Sequence, residues 1–342
     1  MLTDISFLSL YPDKATRVQY EISSLTKAGY SVEVRKPFIN SSPVRPLTLL
    51  LRYITLLIQG LLARGRIIHF SNIPDFNALS VLLRRNKFVY DVRTGFATNM
   101  YYYTKSILIW KLAIGIEKFL YRKADVTITA NKYLAMRARK LGAKNVTVVP
   151  NYPLSTMEVK VPKEEIRAGE SCKEDDKVFL IISNLTRLKP FELLFTEFTK
   201  ILDTYPTSQL WIVGDGTDKD RLEKIATKLS PQIRFLGYKK IDELGSIINA
   251  SDVCLAVYED LDPRFQQFYS VESVWKTGEY ALFGKPIVAL NMVPNDGLIS
   301  ANEDNLAEKM ILALQDNAPL LEKKTWKDSE RILLDVYKQL ES

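Results

Sequence analysis

Two successive series of alternating strand and helix patterns, separated by one polar stretch, constrain this 342-residue chain more than any other feature. Short apolar runs bounded by turn residues alternate with segments whose apolar residues recur every three to four positions. That alternation specifies parallel sheets with crossover helices, an α/β protein. In the first series strands are predicted at 5–9, 32–35, 67–70, 88–91, 126–129 and 146–149, and helices at 17–28, 47–63, 77–83, 107–122 and 132–141. In the second, strands are predicted at 178–183, 209–213, 233–236, 253–256 and 286–289. Its helices fall at 191–204, 219–226, 241–249, 275–283 and 305–315, with a last amphipathic helix at 326–340.

The expected domains are 1–155 and 176–324, joined by a lysine- and glutamate-rich linker over 156–175 that shows no strand signal. The last helix, about 325–342, can pack back onto the first domain. Two such domains leave a cleft where the carboxyl ends of their strands can face each other, the default place for an active site.

Composition narrows the classes. The chain is 46% apolar and 25% charged, which excludes disorder, collagen and a disulfide scaffold. Cys172 and Cys254 match no metal spacing, so a reducing cytoplasm is the expected compartment. The start, MLTDISFLSLYPDK, lacks the features of a cleaved signal, and no run is long and apolar enough to span a bilayer. The formal charge of +7 divides unevenly. Residues 1–160 hold 24 Lys and Arg against 9 Asp and Glu, whereas residues 161–342 hold 23 against 31. The basic half is expected to meet something anionic, such as an acidic leaflet or a phosphorylated substrate.

Three segments of the second half carry chemistry. SNLTRLK runs from a strand into a helix, with Asn184, Arg187 and Lys189 in the turn. Fixed cations at a strand end beside a helix N-terminus suit a phosphate or pyrophosphate; a solvated basic loop is the alternative. LWIVGDG places Gly214 and Gly216 around Asp215, where backbone can approach a ligand closely, although G-D-G is also a common turn. In KTGEYALFGKP, Lys276 and Glu279 share a helix face before Gly284 and Pro286 end that helix. They could hold a phosphate and a ribose diol, or form a surface ion pair worth little. Neither a dinucleotide fingerprint nor a P-loop is present.

Taken together, these segments resemble the retaining, nucleotide-sugar-dependent glycosyltransferases of sequence family 4, the group 1 glycosyl transferases. The resemblance also runs through Arg17 leading a helix that ends KAGYSVEV, through IIHF at 67–70, FVYDVRT at 88–94, IEKFLYRKADVTITA at 116–130 and VVPNYP at 148–153. FLGY at 235–238 and INASDVCLAVY complete it, over nearly the whole chain. It implies the GT-B fold, two Rossmann-like domains facing each other across a cleft, with the nucleoside diphosphate sugar on the second. By resemblance Arg187, Lys189 and Glu279 are the catalytic candidates, with Lys189 on phosphate and Glu279 on the ribose hydroxyls. Asn184, Gly214, Asp215, Gly216, Leu236, Gly237, Tyr238 and Lys276 are the donor-binding candidates, the backbone at 236–238 reading the base edge.

The sequence departs from the family's pattern in places. The paired glutamates E-x7-E would need a glutamate where Val271 stands, but a subset of the family has K-x-x-E-Y instead, which Lys276, Glu279 and Tyr280 fit. Asn184 stands where an arginine is usual, and Arg93 where a histidine is often found. YPDKATR replaces a glycine-rich loop after the first strand. Asp13, Lys14, Arg17, Asp91 and Arg93 are the acceptor-side candidates, with a helix cap and ion pairs as the alternative. His69, the lone histidine, is read as a satisfied core residue, and no Asp/His cluster offers a metal site.

The expected reaction is transfer of a sugar from a UDP- or GDP-linked donor to a glycan or lipid-linked acceptor at the cytoplasmic membrane face. It would use no metal and no other cofactor, with fixed cations meeting the leaving pyrophosphate. The leucine-rich segment 43–66, with its arginines, could lie on an acidic membrane or simply pack on the sheet. A soluble transferase with a small acceptor, or a non-catalytic nucleotide-sugar-binding scaffold, are the competing readings. Nothing points to nucleic acid.

Overall fold

The computed structural model describes residues 4–13, 15–38, 45–72, 74–83, 86–187, 189–259 and 269–341. Lys14 and residues 43–44 lie outside the described residues. The chain divides into two compact units. Residues 4–151 and 326–341 belong to the first, residues 152–259 and 269–325 to the second.

The first unit runs β1 (Ile5–Leu8), α1 (Thr16–Lys27), β2 (Val32–Arg35), α2 (Arg45–Leu61) and β3 (Ile67–Ser71). After a 3-10 helix over Asp75–Leu83 come β4 (Lys87–Val92), α3 (Phe96–Thr104), α4 (Ile107–Lys123), β5 (Val126–Thr129), α5 (Lys132–Lys140) and β6 (Val146–Val148). All strand pairs are parallel, in the order β2-β1-β3-β4-β5-β6. The central strands are buried on both faces, which is why they read as unbroken apolar runs in the sequence.

The second unit runs α6 (Lys163–Gly169), β7 (Val178–Ile182), α7 (Phe191–Ile201), β8 (Gln209–Val213), α8 (Lys219–Leu229), β9 (Ile233–Gly237) and α9 (Ile241–Ala250). Then follow β10 (Val253–Val257), α10 (Trp275–Leu282), β11 (Ile287–Leu290), β12 (Ile299–Ala301) and α11 (Leu306–Leu312). Its sheet is also parallel, in the order β12-β11-β10-β7-β8-β9. The chain goes outward from β7 through β8 and β9, then returns to the other side of β7 as β10. The strand order therefore reverses between β7 and β10. A last helix, α12 (Trp326–Glu341), belongs to the first unit, where Trp326, Leu333, Val336 and Tyr337 pack with Ile5, Leu25, Val89 and Ile128.

Several local expectations are corrected. The stretch read as a linker, 156–175, is part of the second unit and carries α6. Buried Arg167 fastens it, donating to the carbonyls of Ala250, Glu174 and Asp176 and pairing with Asp252 at 2.7 Å. A charged segment satisfied in this way looks like a linker in composition alone. The helix predicted at 77–83 is a 3-10 helix starting at Asp75, and α3 and β12 were not predicted. The segment FATNMYYYT lacks a clear apolar period, and β12 is three residues long with one buried side chain. Both cysteines are free and buried.

Candidate functional site

At the reversal in the second sheet, the loop after β7 lies beside the loop after β10. Open parallel sheets bind ligands there, outside the carboxyl ends of the strands. The loop after β7 is held by backbone hydrogen bonds to the loop after β8. Ser183 donates to Val213, Leu185 to Asp215 and Asp218 to Leu185, at 2.9, 2.9 and 3.1 Å. Gly214 donates onward to the Gly237 carbonyl at 2.9 Å, so the ends of β7, β8 and β9 are laced together.

The glycines of the G-D-G turn serve that lacing. Gly214 has φ +144°, and a Cβ there would lie 1.9 Å from the Ser183 carbonyl oxygen. A Cβ on Gly216 would lie 2.1 Å from the Leu185 oxygen. The close approach they allow is thus to the neighbouring loop. Asp215 accepts from the Gly216 amide at 2.8 Å and is otherwise exposed.

Three predicted residues meet at this point. Lys189, seven residues beyond β7, is half-buried and places its ammonium 3.5 Å from the ring centroid of Tyr258, which directly follows β10. Tyr258 stacks on Tyr269 with centroids 3.8 Å apart. Lys276 on α10 brings its own ammonium within 5.3 Å of the Tyr258 ring. The Lys276 nitrogen is enclosed and has no hydrogen-bond partner among the described residues. Glu279 lies one helical turn on, close enough for the two charges to act on each other.

Burial governs the electrostatics. It pulls the Lys189 pKa down to about 6, with repulsion from Lys276 adding to the effect. Burial also lowers Lys276, to about 8, against the pull of Glu279. Glu279 is raised by burial to about 7, against the pull of Lys276. Two lysines whose positive charge is disfavoured only for want of a counter-charge form a receptor for an anion, whose binding restores that charge.

Tyr280 sets the position of α10. Its buried hydroxyl accepts from the Ile182 amide at 2.9 Å, tying the helix to the end of β7. Gly278 lets the same helix sit against Pro153, since a Cβ there would come within 2.6 Å of the proline ring. Lys285 is spent on the carbonyls of Asn249 and Ser251 at 2.8 and 2.7 Å.

The other second-unit candidates sit further into solvent. Arg187 is 80% exposed and lies 3.6 Å from Asp218. Asn184 is exposed, Leu236 half-buried, and the Tyr238 side chain 73% exposed. Gly237 has φ +70°, and its carbonyl is already engaged by Gly214.

The acceptor-side candidates of the first unit fare differently. Asp13 is exposed and pairs with Lys36 at 2.8 Å. Arg17 and Asp91, expected to face a cleft, are buried in an ion-pair core. Arg17 bonds Glu21 at 2.7 Å, Asp91 at 3.3 Å, and both the Val149 carbonyl and Asn151 at 2.6 Å. Arg93, partly exposed, reaches Asp91 at 3.0 Å and Glu21 at 3.4 Å. The two guanidiniums hold the Asp91 pKa well below the carboxylate range in spite of its burial. A sequence does not separate charges neutralised inside a core from charges aimed at a ligand.

His69 belongs to the same core. It stacks on Phe7 at 4.0 Å, and its Nδ1 meets the Tyr337 hydroxyl at 2.5 Å. Its Nε2 has no hydrogen-bond partner among the described residues and faces Asp91 at 3.8 Å and Glu21 at 3.9 Å. The histidine is therefore half satisfied rather than fully so. Glu21, His69 and Asp91, drawn from three distant segments, do form an acidic-histidine cluster, which the sequence reading did not anticipate. Arg17 and Arg93 already supply the positive charge that a cation would bring to its carboxylates.

Residues 176–316 match the family described as glycosyl transferases group 1. The alpha-monoglucosyldiacylglycerol synthase of Acholeplasma laidlawii is 25% identical over 185 residues, covering 49% of this chain and 46% of that protein. The chain spans less than half the length of the curated relatives it matches. Among solved structures, the sucrose-phosphate synthase of Thermosynechococcus elongatus superposes with a TM-score of 0.74 at 16% identity, covering 99% of both chains. Anabaena HepE, in complex with UDP and glucose, gives 0.67 at 15% identity, covering 99% of this chain and all of that one. Residues 176–316 are thus similar to the group 1 glycosyl transferases, and the fold of the chain is GT-B.

Proposed function

We propose that the protein transfers a sugar from a nucleoside diphosphate donor, UDP- or GDP-linked, to a glycan or lipid-linked acceptor at the cytoplasmic face of a membrane, with retention of configuration. One observation carries the reading. Two lysines, the half-buried Lys189 and the enclosed Lys276, meet around Tyr258 beside Glu279, at the strand reversal of the unit that matches a glycosyltransferase family. The fold neighbour HepE was solved with UDP and glucose, which makes UDP the first probe.

In the proposed reaction the acceptor hydroxyl oxygen bonds to the anomeric carbon on the face from which the diphosphate departs. The bond from that carbon to the β-phosphate oxygen breaks with its electron pair going to phosphate, and the hydroxyl proton passes to the same phosphate. The products are a glycosylated acceptor and a nucleoside diphosphate. Charge develops on the leaving group, and Lys189 and Lys276 are the groups that meet it. They supply the positive charge a metal would otherwise bring, so the reaction needs no resident cofactor. Ionised Glu279 accepts from the ribose hydroxyls, and the 236–238 backbone borders the base. Gly214, Asp215 and Gly216 border the nucleotide, while Asn184 and Arg187 are further candidates for the diphosphate.

The membrane part of the reading is supported by the basic first unit and by α2. Leu47, Leu50, Ile54, Ile58 and Leu61 form an exposed apolar stripe along that helix. Among the described residues no helix is long and apolar enough to cross a membrane. A transfer assay tests the proposal: the chain is incubated with UDP- and GDP-sugars and a lipid-linked acceptor extract, and the linkage is read by proton NMR. An α-linked product from an α-linked donor, lost in Lys189→Ala, is expected. A β-linked product, or release of free sugar alone, contradicts it.

A further inference from the structure

The aromatic platform beside Lys189 is fixed by the segment that follows β11. The Tyr258 amide donates to the Leu290 carbonyl at 3.1 Å, and the Tyr258 carbonyl accepts from the Asn291 side chain at 2.9 Å. Asn291 makes that bond from a left-handed backbone, φ +55°, a conformation asparagine adopts more readily than most residues. Val293 donates to the Tyr269 carbonyl at 2.8 Å, so both members of the stacked pair are tied to the same short stretch of chain. Tyr258 is 5% exposed, and burial together with the neighbouring Tyr269 raises its pKa, so its phenol stays neutral.

Both lysines of the site gather on this one ring. The Lys189 nitrogen lies 3.5 Å from the Tyr258 centroid and 5.3 Å from that of Tyr269, and Lys276 approaches Tyr258 at 5.3 Å. Among the described residues neither nitrogen is held in an ion pair. A carboxylate in place of the ring would bind Lys189 more strongly, but it would cancel the charge and occupy the N–H donors that an anion needs. A ring face attracts an ammonium through its quadrupole and carries no net charge of its own. Lys189 is thereby kept in place with its charge and its donors still to be claimed. The arrangement is costly only while the site is empty, when burial and Lys276 together bring the Lys189 pKa down to about 6.

We infer that Tyr258, stacked on Tyr269, is the residue that positions Lys189: its ring face holds the ammonium in the anion receptor without neutralising it. The inference deepens the reading above and rests on it for the identity of the anion, the diphosphate of the donor. Tyr258 acts through Lys189 and is a positioning residue rather than a catalytic one.

Two substitutions separate the ring face from apolar bulk and from the hydroxyl. Tyr258→Leu keeps the bulk and loses the face, whereas Tyr258→Phe keeps the face. Calorimetry with UDP and GDP should show Tyr258→Leu binding the preferred nucleotide about tenfold more weakly, and Tyr258→Phe recovering most of that loss. In a Lys189→Met background Tyr258→Leu should cause no further loss, because a residue that acts through Lys189 then has nothing to act on. A tyrosine that merely supports the fold would subtract its effect in both backgrounds. A second measurement needs no nucleotide: the ε-methylene protons of Lys189 in carbon-13-labelled protein, assigned with Lys189→Met. Ring current should move them upfield in the parent chain and in Tyr258→Phe, and they should return to the ordinary lysine range in Tyr258→Leu. Far-ultraviolet circular dichroism confirms that each variant is folded. Ordinary Lys189 resonances in the parent chain, a phenylalanine variant as weak as the leucine one, or equal losses in both backgrounds overturn the inference. If the resonances follow the ring but the parent chain binds neither nucleotide, the transferase reading fails while the hold of Tyr258 on Lys189 stands.

Discussion

Lys189, Lys276 and Glu279 leave a signature in the pH dependence of stability. Lys189 moves from an ordinary 10.5 to about 6 on folding, and Lys276 from 10.5 to about 8. Between those limits the unfolded chain holds more protons than the folded one, so stability attributable to them rises with pH. Glu279 moves from 4.5 to about 7, where the folded state holds the extra proton, and stability falls with pH across that range. Without nucleotide, thermal unfolding should therefore show a dip near neutrality and a rise of a few degrees toward pH 9. Lys189→Met should flatten the rise, and an unchanged profile would remove the basis for a Lys189 pKa lowered on folding. Lys189 and Glu279 were legible in the sequence because a cation after a strand and a carboxylate in K-x-x-E-Y are recognisable patterns. Tyr258 was not, because an aromatic residue at a strand end reads as core until the fold shows a lysine resting on its face, and Tyr269 lies in a loop with no pattern of its own.

At the scale of elements, α1 carries more than its apolar stripe suggests. Its Arg17 and Glu21 meet Asp91 of β4 and Arg93 just after that strand, and Arg17 also holds the chain at Val149 and Asn151. Trp326 of α12 donates to Ser24 of α1 at 2.9 Å, and Ser329 donates to the Pro150 carbonyl at 2.8 Å. Replacing Arg17 by Met would leave two buried carboxylates facing one guanidinium, at a cost of about 3–5 kcal/mol. Chemical denaturation of the variant should show a loss of that size. A loss below about 1 kcal/mol would mean that Arg17 is not confined to the core. Most strands and helices were legible because doubly buried parallel strands read as apolar runs and crossover helices as period-3.6 patterns. The elements that escaped, α3, α6 and β12, are held by aromatic packing, by a buried arginine and by a short edge pairing with β11. None of these leaves a periodic trace.

For the whole molecule, charge and family likeness fall on different parts of the chain. The unit that matches the glycosyltransferase family carries Lys189 and Lys276, and the chain's excess of positive charge lies in residues 1–160. The GT-B fold was legible from the order of the motifs along the chain. The burial of Arg17 and Asp91 was not, because ion pairs closed inside a unit have the same composition as those that line a site. The proposed transfer requires the second unit to bind a nucleoside diphosphate through Lys189 and Lys276, with Glu279 on the ribose. Titration calorimetry with UDP, GDP, ADP and their common sugars, on the parent chain and on Lys189→Ala, Lys276→Ala and Glu279→Ala, tests that most directly. Saturable binding of one nucleotide is predicted, weakened about tenfold to a hundredfold by each substitution. Correctly folded protein that binds none of them, or binds one equally well in all three variants, would contradict it.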